Sequence, residues 1–491
     1  MAGLYEVRGK GGKLKIGLIN TALNEDAPPL NLVYLATVLK ANGFSQVKII
    51  DHTFQRRSLS REVKGLDCIG ISAMTRYYNK AIRIAKQIKE STGIPVIIGG
   101  THITTASNSL SPNFVLGVIG EGENIIVELC QRLYQEGSFN PEGLKQICGL
   151  VYRDNGKLTK TPVAPLIDNL DDIPLPDFGL LDEHYFRRKW IIWNETMGKS
   201  MKIITSRGCP YNCVFCASKR IWKIVRLHSA ERIFKEVKEL VSRWGIDHIY
   251  IDDDLFIINK ARLEQFAELM EQNMALSNKV AFFCSARTDL LDEALCQILR
   301  RIGVRALNFG FESGSDRVLK YLKGDNITVE SHRKAIDLCN KYGFKVWGSL
   351  MLGSPTETIE DMRKTSQFID FAIAAGCQRL GAFVSTPLPG TEFWEVARKA
   401  GKVSDDMNWD LIDYGNCYEP LVLDSDINPN EFRKIFVEIT AKLDRLLVKD
   451  KGWKTIIFRY RKVIYKILSD PRRALSMFKN IVFEKPNIPA Q

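Results

Sequence analysis

The sequence predicts an α/β protein built from two parallel-sheet domains. The first is doubly wound and Rossmann-like, the second is a partial (β/α)6 TIM-type barrel, and a helical C-terminal extension follows. Three observations carry this reading. Short apolar runs alternate with amphipathic helical stretches over residues 13–145. The alternation resumes near residue 200 with six further apolar runs, two fewer than a closed eight-unit barrel needs. Between them stands Leu170-Asp171-Asp172-Ile173-Pro174-Leu175-Pro176, extended because each proline excludes helix from the residue before it.

In the first series the strands read 14–20, 47–51, 68–74, 95–100 and 114–120. Helical patterns fill 32–43 and 78–92 and stop at Gly43 and Gly93. Buried strands joined by helices of this length form a parallel sheet whose C-terminal loops are open to a ligand. Residues 146–195 break the rhythm with a hairpin turning at Asp154-Asn155-Gly156, followed by the linker. The barrel strands read 201–206, 248–254, 280–287, 306–313, 345–352 and 379–386. The expected divisions are therefore a tail at 1–12, domains at 13–145 and 196–400 with the hairpin and linker between them, and the extension at 401–491.

The bulk properties narrow the class. In 491 residues, 45% hydrophobic and 26% charged, no run of 18 apolar residues appears that would span a membrane as a helix. The opening MAGLYEVRGKGGKLK lacks the apolar core of a signal peptide. Eleven cysteines without an export signal point to the reducing cytoplasm, where thiols stay free or bind metal. Of the net charge of +12, the last 41 residues hold +8, with ten basic residues against Asp470 and Glu484. A diffuse nucleic-acid face is therefore not expected, whereas a basic appendage is. Within it, Ile456, Ile457, Tyr460, Val463, Ile464, Ile467 and Leu468 fall on one helical stripe. Two readings of 453–491 stay open: a helix capping the barrel, and a helix making peripheral contact with an anionic membrane.

The chemistry concentrates after the first barrel strand, in Ser206-Arg207-Gly208-Cys209-Pro210-Tyr211-Asn212-Cys213-Val214-Phe215-Cys216. Cys209, Cys213 and Cys216 on one tight loop can each ligate an iron of a 4Fe–4S cubane, leaving the fourth iron open to a small chelator. A structural zinc would need a fourth ligand, and the other eight cysteines are scattered singly, in the manner of small buried hydrophobes.

This CxxxCxxC segment at the mouth of a six-unit barrel resembles the radical S-adenosylmethionine (SAM) superfamily. The resemblance implies that the open iron binds the methionine part of SAM and that reductive cleavage yields a 5′-deoxyadenosyl radical. It also implies SAM contacts: Phe215 against the adenine, a carboxylate of Asp252-Asp253-Asp254 (Asp253 or Asp254) on the amino group, Glu312 and Ser313 at the end of the fourth strand, and Gly353 after the fifth. At the second position three carboxylates replace the family's Gly-Gly-Glu. Strand C-termini are where barrel active sites are built.

The N-terminal domain resembles that of the cobalamin-binding subfamily. Pro29 and Leu30 open the first helix, Ser72 ends the third strand, Gly99-Gly100-Thr101 follows the fourth, and Gly120-Glu121-Gly122-Glu123 follows the fifth. Glycines at strand ends let backbone approach a large flat cofactor, and helix N-termini receive its polar tail. The cobalt-ligating pattern Asp-x-His-x-x-Gly is missing, since the chain reads Asp51-His52-Thr53-Phe54-Gln55. Neither His52 nor His102 is taken as a ligand.

The resemblance implies an enzyme that methylates an unactivated carbon of a small-molecule or lipid-like substrate, fed by a low-potential donor such as ferredoxin or flavodoxin. The same scaffold serves cyclisation, rearrangement or oxidation. A methylthiotransferase-like RNA modifier would carry a further RNA-binding β-domain, and a cobalamin sensor would not need the cysteines. A vestigial α/β domain without cobalamin is the remaining alternative.

Overall fold

The computed structural model describes residues 14–22, 28–54, 58–187, 190–192 and 196–451, so the basic stretch 453–491 lies outside the described residues. Residues up to Phe436 form one compact unit and those from Val437 another. No described helix is long and apolar enough to cross a membrane.

The first sheet takes β1 (Lys15–Asn20), β2 (Gln46–Ile50), β3 (Cys68–Ser72), β4 (Val96–Gly99), β5 (Leu116–Val118), β6 (Leu150–Asp154) and β7 (Lys157–Lys160) in the order β2-β1-β3-β4-β5-β6-β7. β1 to β5 run parallel, and their apolar runs are buried because helices cover both faces. The helix Leu30–Ala41 packs on one face through Leu32, Ala36 and Leu39. The helix Tyr78–Thr92 covers the other with Tyr78, Ala81, Ala85 and Ile88, one stripe at helical spacing, and stops at Gly93 with φ +68°. The hairpin expected between the domains belongs to this sheet. β6 pairs antiparallel with β5, and Asn155 and Gly156 (φ +48° and +82°) make the tight turn to β7.

After a small ribbon of β8 (Trp190–Ile192) and β9 (Thr196–Gly198), the second sheet begins at β10 (Ser200–Ile203). A two-residue ribbon of β11 (Ser206–Arg207) and β12 (Arg226–Leu227) interrupts before β13 (His248–Ile251). The series continues with β14 (Ala281–Ala286), β15 (Val304–Glu312), β16 (Lys345–Leu352) and β17 (Arg379–Val384). The order β10-β13-β14-β15-β16-β17 is sequential and every pair is parallel, with β10 and β17 as the edge strands of an open barrel among the described residues. Its crossover helices start where a side chain caps the free backbone N–H groups, at Ser229, Asn259, Asp292, Thr328 and Thr358.

Two expectations are adjusted. β13 stops at Ile251, so Asp252-Asp253-Asp254 form a loop rather than strand, as carboxylates at a sheet end require. Residues 401–428 hold one 3-10 turn, Trp409–Leu411, and no α-helix, and the C-terminal helix begins only at Pro429. That stretch folds back on the first domain. Trp409 stacks on Trp394 at 5.6 Å between centroids and sets its edge against His102 at 4.5 Å.

Candidate active site

The cysteine loop is held before it begins. Past β10 the chain crosses the buried Asp253, whose carboxylate accepts from the backbone N–H of Thr205 (2.6 Å) and from both N–H and Oγ of Ser206 (3.1 and 2.7 Å). Gly208 follows at φ +94°, where a Cβ would lie 2.5 Å from the Ile224 carbonyl oxygen, so glycine is needed to close the β11–β12 ribbon. The loop carries Cys209, Cys213 and Cys216, all free thiols, into the helix Ser218–Trp222. Its middle is clamped: Val214 N–H donates to Leu322 O at 3.1 Å, and Glu392 N–H donates to Val214 O at 3.0 Å. Phe215, half-buried, sits 6.3 Å from the Phe393 ring.

Desolvation in this cleft pushes all three thiols above the ordinary range, Cys216 to about 11. They are therefore protonated at neutral pH until a metal displaces the protons. Among the described residues, no group of three or more His, Cys, Asp or Glu side chains converges on a single metal ion. A cubane makes no such demand, because each cysteine takes its own iron. The donor set, three thiols on one pinned loop at the barrel mouth, fits that cluster.

Beside the loop opens a cavity of about 400 Å³, within the range of cofactor sites (roughly 300–1,000 Å³). One wall is the C-terminal edge of the first sheet, with Ser72, Gly99, Gly100, Thr101 and the run Gly120-Glu121-Gly122-Glu123. The opposite wall comes from the barrel through Ser206, Arg207, Trp222, Asp252 and Asp254. Pro29 and Leu30 are buried behind this surface and do not line it, and Asn31 and Leu32 take that place. Asn31 Nδ2 donates to Ser72 Oγ at 2.7 Å. The glycines leave a concave, largely backbone wall that suits a flat macrocycle. No histidine lines it. His52 pairs with Glu62, and His102 is buried between Tyr78, Ser109 and Trp409.

Between the two walls runs a buried ion network. Arg207 Nη1 donates to Glu121 Oε1 at 2.5 Å and Nη2 to Glu123, while Arg226 Nη1 donates to Glu121 Oε2 at 2.7 Å. Burial opposes the Glu121 charge, yet Arg226 and Arg207 hold its carboxyl below the usual range. Glu121 and Glu123 thus face the cavity but spend their carboxylates on the barrel.

The residues expected at SAM divide in two. Phe215 and Asp254 keep open surface, and Asp254 accepts from Ser218 Oγ at 2.7 Å. Asp253, Ser313 and Gly353 are engaged inside the fold. Ser313 is fully buried beside Thr365 (3.2 Å), and a Cβ on Gly353 would meet Phe432 at 2.9 Å. Glu312 is buried with φ +60° and paired to Lys323 at 3.0 Å. Sequence reasoning missed Arg207 and Trp222, which line the cavity. Arg207 stood within the quoted loop, but nothing in its spacing announced the glutamates it meets.

Two family models match the chain, the B12 binding domain over residues 16–130 and the radical SAM superfamily over 203–369. An uncharacterized methyltransferase of Pyrococcus horikoshii is 32% identical over 401 residues, covering 80% of this chain and 83% of that one. Cytidylyl-2-hydroxyethylphosphonate methyltransferase of Streptomyces wedmorensis is 26% identical, over 89% of this chain and 92% of its own. The structure of the radical SAM methyltransferase TsrM of Kitasatospora setae, with cobalamin and a [4Fe–4S] cluster bound, aligns with a TM-score of 0.66 at 20% identity. That alignment covers 87% of this chain and 82% of TsrM.

Proposed function

Since the chain belongs to the cobalamin-binding radical SAM family of enzymes, which use SAM, a 4Fe–4S cluster and cobalamin, we propose that it methylates an unactivated carbon of a small-molecule or lipid-like substrate. The observation that carries this reading is the shared cavity. Its walls are the glycine-rich strand ends of one domain and the residues flanking the cysteine loop of the other. A methyl donor and a hydrogen-abstracting centre held on those walls face the same space.

When bound, the cluster and SAM supply hydrogen abstraction and cobalamin supplies the methyl group. The chain's own residues position and shield. Cys209, Cys213 and Cys216 would ligate the cluster. Asp254 would accept from the SAM amino group, and Phe215 would pack on its adenine. Gly99, Gly100, Gly120 and Gly122 would let backbone approach the corrin, and Thr101, Ser72 and Asn31 would offer it hydrogen bonds. The Glu121–Arg207 pair, nearly closed to water, keeps the two walls in register. Electrons come from a low-potential partner such as ferredoxin or flavodoxin.

The test is an anaerobic incubation of reduced, reconstituted protein with cobalamin, methyl-labelled SAM and fractionated cell extract. The reading expects 5′-deoxyadenosine together with label in an extractable molecule. Deoxyadenosine without label in any fraction would overturn methylation in favour of rearrangement or oxidation on the same scaffold.

A further inference from the structure

Arg287 stands immediately after β14, at the C-terminal end of the barrel and beside the cysteine loop. It is 7% exposed and held on three sides. Its Nε and Nη2 donate to the two carboxylate oxygens of Asp289 at 3.1 and 3.0 Å. Its guanidinium carbon lies over the Tyr211 ring, 3.5 Å from the centroid, and Tyr211 is the middle of the three residues between Cys209 and Cys213 in that loop. The third nitrogen, Nη1, points at Cys213 Sγ from 3.7 Å.

A planar fork locked by a bidentate carboxylate and an aromatic face has little freedom to swing away, so the N–H on the third nitrogen is aimed. Asp289 neutralises the far side of the guanidinium, leaving a dipole whose positive end faces the sulfur.

We infer that Arg287 is a positioning residue that sets the reduction potential of the cluster, through an N–H···S bond to the Cys213 ligand fixed by Asp289 and Tyr211. The physical reason is simple. Reduction adds one electron to the cluster, and a fixed positive end beside a ligating sulfur stabilises the more negative state. The cluster becomes easier to reduce by a weak donor. The inference rests on the three cysteines holding the cluster, and iron analysis of the wild-type protein tests that premise separately.

Full-length protein, anaerobically reconstituted with iron and sulfide, is titrated with dithionite while the reduced cluster is followed by electron paramagnetic resonance. Arg287→Gln should move the midpoint to more negative potential with iron content unchanged. Arg287→Lys, which keeps the charge, should move it less. Asp289→Asn, which removes the counter-charge, should move it in the positive direction. Opposite signs for Arg287→Gln and Asp289→Asn are a signature that a merely structural role would not produce. Three results would each overturn the inference: midpoints that do not change, shifts of equal sign in both variants, or loss of iron from Arg287→Lys as well as Arg287→Gln, which would make the residue a scaffold of the loop.

Discussion

Arg207 and Glu121 meet at 2.5 Å with 10% and 3% of their side chains exposed, and they stand on different domains of the chain. One is two residues before the first cysteine of the loop. The other is on the turn after β5 that lines the cavity. Such pairs offset their desolvation only while both partners are present, so removing Arg207 leaves the buried Glu123 without its cation and Glu121 with Arg226 alone. Arg207→Met should therefore cost about 3–5 kcal/mol of unfolding free energy. The triple variant with Glu121→Gln and Glu123→Gln should lose less than the summed single effects, because the orphaned carboxylates are gone. Urea unfolding of the set measures this, and strictly additive losses would show that the three groups do not act as a unit.

The cysteine loop is anchored chiefly by backbone bonds from Val214 and Glu392, to which the thiols add the long contacts from Ser218 N–H (3.4 Å) and Arg287 Nη1 (3.7 Å). Replacing Cys209, Cys213 and Cys216 together with alanine should leave circular dichroism and the unfolding midpoint close to wild type. Iron should fall from about four per chain to near zero, and formation of 5′-deoxyadenosine should cease. Deoxyadenosine made by the triple variant would remove the cluster assignment.

Gly100 and Gly122 both line the cavity but differ in what a side chain would meet. At Gly100, with φ +97°, a Cβ would lie 2.8 Å from both Ala73 O and Ser72 Oγ, so even alanine strains the β3–β4 strand ends. At Gly122, with φ −91°, the near neighbour among the described residues is Leu35 Cδ2 at 3.3 Å, itself on the cavity wall. Gly122→Leu should therefore weaken retention of hydroxocobalamin in gel filtration tenfold or more while iron content stays put. Gly100→Ala should lower stability by about 1–3 kcal/mol before any binding is measured. Unchanged cobalamin retention by Gly122→Leu would place the cofactor elsewhere.

Much of this architecture is written in apolar runs. The helix 78–92 and the strand 345–352 are found at the residues their patterns predict, the first set by one buried stripe and the second by an apolar run whose alternate residues are buried. The cysteine loop is legible for a different reason, since three thiols in eight residues have no packing explanation. What periodicity does not convey is how polar groups are spent. Nothing in Asp252-Asp253-Asp254 says that the middle carboxylate binds Thr205 and Ser206 while the outer two face the cavity. Ser313 and Gly353 read as ligand contacts and are buried against Thr365 and Phe432. The β11–β12 ribbon has two residues per strand, too few for any alternation to show. The return of Trp409 onto His102 joins distant parts of the chain, which no local pattern encodes.

That last contact sets a pH dependence. His102 is fully buried, stacked on Tyr78 at 3.8 Å between centroids, with Trp409 at its edge, Thr75 and Ser109 on its nitrogens and, among the described residues, no charged side chain bonded to it. Burial pulls its pKa down to about 3, so the ring stays neutral in the fold. In the unfolded chain the same imidazole titrates near 6.5. Between those values the unfolded state binds the extra proton, so the contribution is fully present above pH 6.5 and is lost progressively as pH falls toward 3. From pH 7 to pH 5.5 the loss is roughly 1 kcal/mol. The wild-type curve alone is not diagnostic, because Glu357 runs the other way. Burial raises its carboxyl to about 8, above its unfolded value, so its unfavourable contribution grows as pH rises from 4.5 to 8. Each is isolated by its neutral variant. Urea midpoints at pH 5.5 and 7 should show His102→Gln losing less stability on acidification than wild type, and Glu357→Gln losing more. If both variants track the wild-type slope, neither group is held in the protonation state that its burial dictates.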